Sequence, residues 1–405
     1  MDKKVMIAAI VVAVVVIAAV VVVMMPKGGD EPKVDKDYIE LGLTNNFFPD
    51  HTCCVIAANY QFAQDSPEVL EKFLAGYHDG VLYVLEALEH PSSFNYLNLV
   101  SFTKEKVPGL NDQEIKDALE DIAYLYADDT YGNLDVLESD MVDLLGGLKE
   151  VKALTKDVAD PAAFAGYYVD DTYLKEAING KSTLTSNDNV KVKVSVITGD
   201  IHQIAVHVAQ KQGYFDNYGI EVEFAPAQNG GGVATSLLNG DCSIGLMGAP
   251  PATINMVNNG YIDSTGIKDA GKAYNLVARV NSEGSGLYID KSVLDNVNSA
   301  VPMRNGVPFY EEKDGVFYVT TDNAKAWGGL IMGTPGTTSI QHIQLLTLAK
   351  ELGLKTSMYT IGEKLQSDTL YYVTNLSNYQ LIITDISING GIIWEPQYQK
   401  VIQEA

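Results

Sequence analysis

Two separate stretches of the chain alternate short apolar strand patterns with helix patterns, and this alternation restricts the possible folds most strongly. The first stretch predicts strands at 192–197, 220–224 and 243–247, and helices at 202–212, 232–238 and 251–259. The second predicts strands at 330–333, 355–361, 381–384 and 391–393, and helices at 337–352, 364–376 and 395–404. Such alternation indicates parallel sheets with helices on both faces. Two stretches therefore predict two α/β halves.

The segment before these stretches has a different pattern. Residues 38–178 read as a short β segment followed mostly by helix, and Ser66-Pro67-Glu68 is a typical helix start. Residues 179–190 are rich in Ser, Thr, Gly and Asn, which favours a linker. Between the two alternating stretches we expect strands at 274–280 and 286–290, then an irregular segment at 295–327 with half of a hairpin at 316–320.

Composition sets limits on function. The chain has 405 residues, 46% of them hydrophobic and 20% charged, with a formal net charge of −24. That charge argues against nucleic acid as a partner, because nucleic acid requires a basic face. Arg279 and Arg304 are the only arginines, so a site that clamps an anion between several guanidinium groups is disfavoured.

The chain begins with an apolar run. Val5 to Met25 is long enough to cross a bilayer as a helix, and Lys3 and Lys4 before it place the body on the outer side. Residues 1–27 therefore predict a single-pass anchor in the cell membrane with the body outside, and 28–37 a flexible tether. A cleaved signal peptide is the alternative.

Three cysteines are present, two of them adjacent. Cys53 and Cys54 follow His51-Thr52, while Cys242 stands alone. This is not a disulfide framework, and no second cluster completes a metal site. We interpret Cys53 and Cys54 as small residues of a buried strand at 53–58; a vicinal disulfide facing a cleft is the alternative.

Three loops stand where a predicted strand ends and a helix begins, the edge at which open α/β sheets bind ligands. They are 198–203, 248–251 and 333–339, and each presents free N–H groups at a helix N-terminus. The candidate ligand-binding residues are Gly199, Asp200, His202, Gln203, Gly248, Ala249, Pro250, Thr337, Thr338, Ser339, Trp394 and Glu395. The competing explanation is structural: the hydroxyls could cap their helix, and His202 could be a satisfied cap or surface histidine.

Several segments resemble the nitrate/sulfonate/taurine-type solute-binding proteins of ABC importers. The first lobe of that family is similar to 194–260, through His202, Gly213-Tyr214-Phe215, Tyr218-Gly219-Ile220 and Gly240-Asp241. Gly333-Thr334-Pro335-Gly336 and Trp394-Glu395-Pro396 resemble signatures of its second lobe. His51-Thr52-Cys53-Cys54 is similar to a later strand of the family, with Thr52 in place of proline.

The order of these segments departs from the family. There, the Trp-Glu-Pro segment and its helix lead directly into a strand that resembles 38–43, whereas here 38–43 precedes everything else. Circular permutation explains this, with 179–189 as the join between former termini. The resemblance implies a two-lobed, type II periplasmic-binding-protein-like fold, circularly permuted, with an N-terminal transmembrane helix. The expected parts are 38–178 (rest of lobe 2 and closing helices), 191–327 (lobe 1) and 328–405 (start of lobe 2).

The resemblance implies a membrane-tethered extracellular receptor that captures a small, anionic ligand such as a sulfonate, nitrate or taurine. Its expected partners are this ligand and an ABC importer permease; we expect no cofactor, no metal and no catalytic residue. One rival is a surface sensor or interaction protein that keeps the fold. Another is an enzyme resembling thiamine-pyrimidine synthases, whose cysteine-rich iron site is here reduced to His51-Thr52-Cys53-Cys54.

Overall fold

Two six-stranded sheets organise the chain. The computed structural model describes residues 36–124, 132–184 and 189–404. The strands are β1 Tyr38–Leu43, β2 Thr52–Asn59, β3 Ile122–Tyr124, β4 Val190–Ile197, β5 Ile220–Ala227, β6 Ile244–Gly248, β7 Ile262–Asp263, β8 Gly266–Ile267, β9 Tyr274–Glu283, β10 Ser285–Asp290, β11 Met303–Arg304, β12 Val307–Pro308, β13 Glu311–Lys313, β14 Val316–Tyr318, β15 Ile331–Gly333, β16 Lys355–Met358, β17 Thr369–Val373 and β18 Gly390–Trp394.

Helices cover both sheets. They are α1 Thr44–Phe47, α2 Tyr60–Asp65, α3 Pro67–Glu89, α4 Phe94–Lys106, α5 Asp112–Glu120, α6 Gly132–Glu150, α7 Pro161–Tyr168, α8 Thr172–Asn179, α9 Ile204–Lys211, α10 Tyr214–Asn217, α11 Gly230–Asn239, α12 Ala249–Asn259, α13 Ala324–Trp327, α14 Ile340–Glu351, α15 Tyr379–Thr384 and α16 Gln397–Glu404.

Sheet 1, with its helices, forms the first lobe. Its strand order is β3-β9-β2-β6-β4-β5. β4 pairs in parallel with β5 and β6, whereas β2 runs antiparallel between β6 and β9. All eight residues of β2 are buried, which is typical of a central strand covered on both faces.

Sheet 2 is the centre of the second lobe and repeats this plan. Its order is β1-β10-β18-β15-β17-β16. β15 pairs in parallel with β17 and β18, and β10 runs antiparallel between β18 and β1. In each sheet a set of parallel strands is therefore interrupted by an antiparallel strand, β2 in sheet 1 and β10 in sheet 2, and sheet 1 has a second antiparallel strand, β3, at its edge.

The interrupting strands are where the chain crosses between the lobes. β9 of sheet 1 continues into β10 of sheet 2 through the single residue Gly284, and β1 of sheet 2 continues into β2 of sheet 1 through 44–51. Sheet 1 thus receives β2, and sheet 2 receives β10, from chain that has just left the other sheet. Two crossings side by side form a double hinge between the lobes.

Local sequence explains where the helices begin and end. The side chains of Asn59, Asn111, Asp160 and Asn229 accept hydrogen bonds from backbone N–H groups in the first turns of α2, α5, α7 and α11. These are the residue types preferred at helix N-caps. Gly240, after α11, has a left-handed conformation, as is common at helix ends.

Some sequence predictions are wrong. The assignment of 38–178 to lobe 2 predicts that residues 53–58 join the sheet of 330–333 and 391–393, but β2 lies in sheet 1, paired with β6 and β9. The reason is the second crossing at 44–51, which returns the chain to the first lobe after β1. The chain after β2 also packs on the first lobe: α3 to α8 contribute side chains to the same apolar cluster as β2, β4 and β9.

The sequence also predicts a helix at 364–376 and a strand at 381–384, and the structure has the reverse. Thr369–Val373 is β17, since its β-branched and aromatic residues suit a strand. Asn378 then accepts a hydrogen bond from Leu381 N and so starts helix α15.

Other predictions are confirmed. Tyr38–Leu43 joins the sheet of 330–333 and 391–393. The strands at 274–280 and 286–290 and a hairpin at 316–320 are also present, as β9, β10 and the β13–β14 ribbon. Tyr398 and Val401 of α16 share an apolar cluster with Tyr38, so the last helix lies beside the first strand; Ala405 itself lies outside the described residues.

The predicted anchor, 5–25, lies outside the described residues. Within 36–124, 132–184 and 189–404, no helix has the length and apolarity needed to cross a bilayer.

Candidate functional site

Gly284 lies at the crossing from β9 to β10 and holds the two lobes together. Its carbonyl oxygen accepts hydrogen bonds from His202 Nε2 (2.9 Å), in the first lobe, and from Glu395 N (2.8 Å), in the second. Gly284 has a φ of +80°, and a Cβ placed there would lie 2.3 Å from His202 Nε2. Only glycine lets the histidine approach the backbone this closely.

His202 is buried and carries a positive charge. Its Nδ1 donates to Asp200 Oδ1 at 2.8 Å while Nε2 donates to Gly284, so both ring nitrogens are protonated. Burial acts to lower the pKa of His202, but the charge and hydrogen bond of Asp200 outweigh it, with further help from Cys53, and raise the pKa to about 9. His202 is therefore a positioning residue at the hinge.

Gln203 fixes the same loop to sheet 1. Its Oε1 accepts from Ile197 N at 3.0 Å, and its Nε2 donates to Asp200 Oδ2 and to Leu246 O. Gln203 is fully buried, and Gly199, with a φ of +72°, makes the turn before it. The loop 198–203 is thus built mainly to brace the crossing.

Glu395 makes the matching contact from the second lobe. Its buried side chain hydrogen-bonds to Asp121, whose Oδ2 also accepts from Gln399 Nε2 at 2.9 Å. Burial, together with the charge of Asp121, raises the pKa of Glu395 well above its ordinary value. Glu395 therefore keeps its proton and donates a hydrogen bond to the carboxylate of Asp121 on the first lobe. Trp394, before it, pairs with Ser285 of β10.

The two remaining predicted loops, 333–339 and 248–251, begin helices α14 and α12. Ser339 Oγ accepts from His342 N at 3.2 Å and donates to Gly336 O, which makes it the N-cap of α14. Thr337 and Thr338 are exposed. On the other lobe, Gly248 pairs with Cys54, and Ala249 and Pro250 are buried in the first turn of α12. The capping explanation of Ser339 therefore describes its contacts.

The adjacent cysteines lie in a buried strand with free thiols. Their Sγ atoms are 3.8 Å apart. A hydrogen bond from Cys54 lowers the pKa of Cys53 despite burial, and the positive charge of His202 acts in the same direction. Among the described residues, no group of three or more His, Cys, Asp and Glu side chains is arranged to hold a metal ion.

A pocket of about 410 Å³ opens between the lobes. We call it the interlobe pocket. Helix α6 of the first lobe and helix α14 of the second form its walls, and the crossing segment 48–52 closes one side. Its lining is Phe48, Pro49, Asp50, His51, Thr52, Asp140, Met141, Asp143, Leu144, Gly147, Glu150, Ile340, Ile343, Gln344 and Thr347. A volume of this size suits a small organic molecule.

None of the twelve candidate ligand-binding residues lines the interlobe pocket, although His51 and Thr52 of the His51-Thr52-Cys53-Cys54 segment do. Of these residues, His202 and Glu395 meet at Gly284 instead. Two signals could have found the pocket: Gln341 and Gln344 interrupt an apolar helical face, and Asp140 and Asp143 recur at helical spacing on α6. Both signals are common on ordinary helices, and neither shows that the two helices meet.

The lobes touch beside the pocket. Leu148, Ile254 and Ile343, from α6, α12 and α14, form a small apolar cluster of their own. Lys350 Nζ of α14 lies 2.6 Å from Glu150 Oε2 of α6. This contact is small beside the cores of the two lobes, which is the arrangement expected of a cleft that can open and close.

Two α/β lobes with a double crossing and a pocket between them define a periplasmic-binding-protein-like fold. The model of the NMT1-like family matches residues 187–405, more than half of the chain. The chain belongs to the NMT1-like family, part of the periplasmic binding protein superfamily that covers the nitrate-, sulfonate- and taurine-type binders. This membership supports the interpretation of the chain as a solute-binding protein.

Among solved structures, the chain is similar to Haemophilus influenzae OppA in complex with RPPGFSPFR. The identity is 13%, the TM-score is 0.24, and the match covers 59% of this chain and 36% of that one. The matched region is thus about a third of that protein's length. A comparison with curated proteins found no match.

The charge on His202 predicts a dependence of stability on pH. Because the folded pKa is about 9 and the ordinary value is 6.5, the stabilisation is complete below about pH 6.5 and is lost as the pH rises toward 9. A shift of this size corresponds to roughly 3 kcal/mol. We expect His202→Gln to remove this loss, as measured by urea unfolding between pH 6 and 9.

His207→Gln is the matched control. Burial lowers the pKa of His207 to about 4, so its titration affects stability only below about pH 6.5. If the wild-type protein and His202→Gln lose stability in parallel above pH 6.5, the claim that His202 is charged in the folded protein is refuted.

Proposed function

We propose that this protein captures a small molecule between its two lobes and delivers it to the permease of an ABC importer. The observation that carries the proposal is the interlobe pocket, bounded by α6 and α14 on opposite lobes and adjoining a double hinge. Membership in the NMT1-like family supports it. In this mechanism the open lobes admit the molecule, and their closure brings α14 toward α6 around it.

We propose further that the protein works outside the cell, tethered by 5–25. The apolar run after Lys3 and Lys4 supports a single-pass anchor with the body outside. N-terminal sequencing of protein from native membranes should find the apolar run retained; a mature chain that starts beyond Pro26 would leave a secreted receptor.

Closure can be tested by locking the lobes. A Cβ at Gly147 of α6 would lie 3.9 Å from Ile343 Cγ2 of α14, so a Gly147→Cys/Ile343→Cys pair should form a disulfide across the cleft. We expect the oxidised pair to bind small molecules at least tenfold more weakly than the reduced pair, because the entrance cannot open. Thermal shift with cationic, uncharged and anionic compounds measures this.

The single variant Gly147→Cys, under the same oxidant, controls for effects on the native thiols. Undiminished binding in a fully cross-linked protein would show that ligands do not enter between the lobes. Absence of binding by compounds of every charge class would contradict the solute-binding function itself.

We also propose that the chain is a circular permutation of the usual order. β18 and β1 both pair antiparallel with β10 and so run parallel. α16 follows β18 and packs in the cluster that contains Tyr38. A direct link from α16 to β1 would therefore complete an ordinary β-α-β unit. The polar residues 179–189 support a join of former termini there.

Re-ordering the chain tests the permutation. A protein that starts at Val190, runs to Ala405, continues through a flexible linker of about ten residues to Lys36 and ends at Leu184 should unfold cooperatively, within a few degrees of the native order. A control opened inside β6, between Gly245 and Leu246, should fail to fold. Failure of the first protein in the same manner as the control would contradict the proposal.

A further inference from the structure

Gln344 is a buried amide without a partner. It lies on α14 in the lining of the interlobe pocket, is 3% exposed, and neither its Nε2 nor its Oε1 has a hydrogen-bond partner. Leaving such groups buried and unpaired costs free energy, so the arrangement calls for an explanation. Gln341, one turn earlier on α14, is equally buried but donates to Ser285 Oγ at 2.9 Å.

His51 adds an unpaired acceptor to the same pocket. Its Nδ1 lies 2.9 Å from the carbonyl oxygen of Phe48 and therefore carries the proton. Burial lowers the pKa of His51 to about 4, so the ring is neutral. The remaining nitrogen, Nε2, is a buried acceptor with no partner. A ligand that offers N–H groups would satisfy both His51 Nε2 and Gln344 Oε1.

The charge of the lining is negative. Asp50, Asp140, Asp143 and Glu150 all line the pocket, and none of the lining residues is a lysine or arginine within the described ranges. Buried Arg279 lies behind them, with Nη2 at 3.2 Å from Asp50 Oδ1 and 3.9 Å from Asp140 Oδ2.

Arg279 and Lys350, which pairs with Glu150, offset part of this negative charge. Two cations against four carboxylates leave the pocket negative, so it attracts cations and repels anions. The walls between these groups are apolar, formed by Met141, Leu144, Ile340 and Ile343.

We infer that the molecule captured in the interlobe pocket is a small organic cation with several N–H donors, an amine or a guanidine, recognised by Gln344 and His51. The inference rests on the proposed function and specifies its ligand. It replaces the anionic ligand expected from the family resemblance. The apolar walls would cover the carbon skeleton, and the carboxylates would favour the charged end.

Compounds that differ in charge test whether the pocket prefers cations. We expect thermal shift and calorimetry to show binding of agmatine or 2-phenylethylamine, with 2-phenylethanol at least tenfold weaker, and no binding of phenylacetate, ethanesulfonate or nitrate. Raising the salt concentration should weaken the binding of the cations.

Replacing Gln344 separates a ligand contact from a structural role. Gln344→Leu should weaken binding of the tightest cation at least tenfold, the effect of losing a hydrogen bond to a charged group. It should also raise the melting temperature of the free protein by about 1–3 °C, because two unpaired polar atoms are removed. Gln341→Leu, which breaks a satisfied hydrogen bond, should instead lower the melting temperature.

The charge has its own pair of variants. Asp143→Asn, in the lining, should weaken the cation about twofold to fivefold. Glu351→Gln removes one charge from α14 outside the lining and should leave the affinity unchanged.

The outcomes separate this inference from the proposed function. If an anion binds most tightly and the cross-link blocks it, the solute-binding function stands and the cation class is overturned. If Gln344→Leu lowers the melting temperature and leaves the affinity unchanged, Gln344 is structural and the assigned contact is overturned. If no compound of any charge binds, both the inference and the proposed function fail.

Discussion

The structure depends on one shared carbonyl group. Gly284 O receives an imidazolium N–H from the first lobe and a backbone N–H from the second, at the residue where β9 becomes β10. The hydrogen bond from a charged donor is the stronger kind. Gln203 ties this point to sheet 1, and Asp121 ties it to Glu395. The lobes are therefore joined at the crossing, and their contact at the α6–α14 edge is small, so motion is expected at that edge.

Much of the fold follows from the sequence. The alternation at 192–259 predicts β4, β5 and β6 with their helices because periodicity is a local property. The sequence also associates 38–43 with the second sheet, through the likeness of the segments on either side of the gap in chain order. Placing β2 in that sheet as well is an error of topology: the eight buried residues of β2 suit a central strand of either sheet, and only the crossing at 44–51 decides which.

The candidate site is harder to predict than the fold. The sequence proposes His202 and Glu395 as ligand contacts, and in the structure both hydrogen-bond to Gly284 at the crossing between the lobes. Gly284 lies 82 positions from His202, and Asp121 lies still farther from Glu395, so no local pattern reveals these hydrogen bonds. Likewise Asp143 and Gln344 look like ordinary helix residues until α6 and α14 face each other. The charge of the pocket depends on which side chains line it, and the net charge of the chain does not reveal it.

Closure of the lobes on a ligand is the central claim, and a distance between them tests it most directly. Spin labels on Glu223→Cys, exposed on β5, and Lys355→Cys, exposed on β16, report on the two sheets, while the native cysteines are buried. Double electron–electron resonance between the two labels should give a broad distance distribution for the free protein. Saturation with the tightest-binding compound should shift it to a single narrow population. A distribution that the bound compound leaves unchanged would contradict the account.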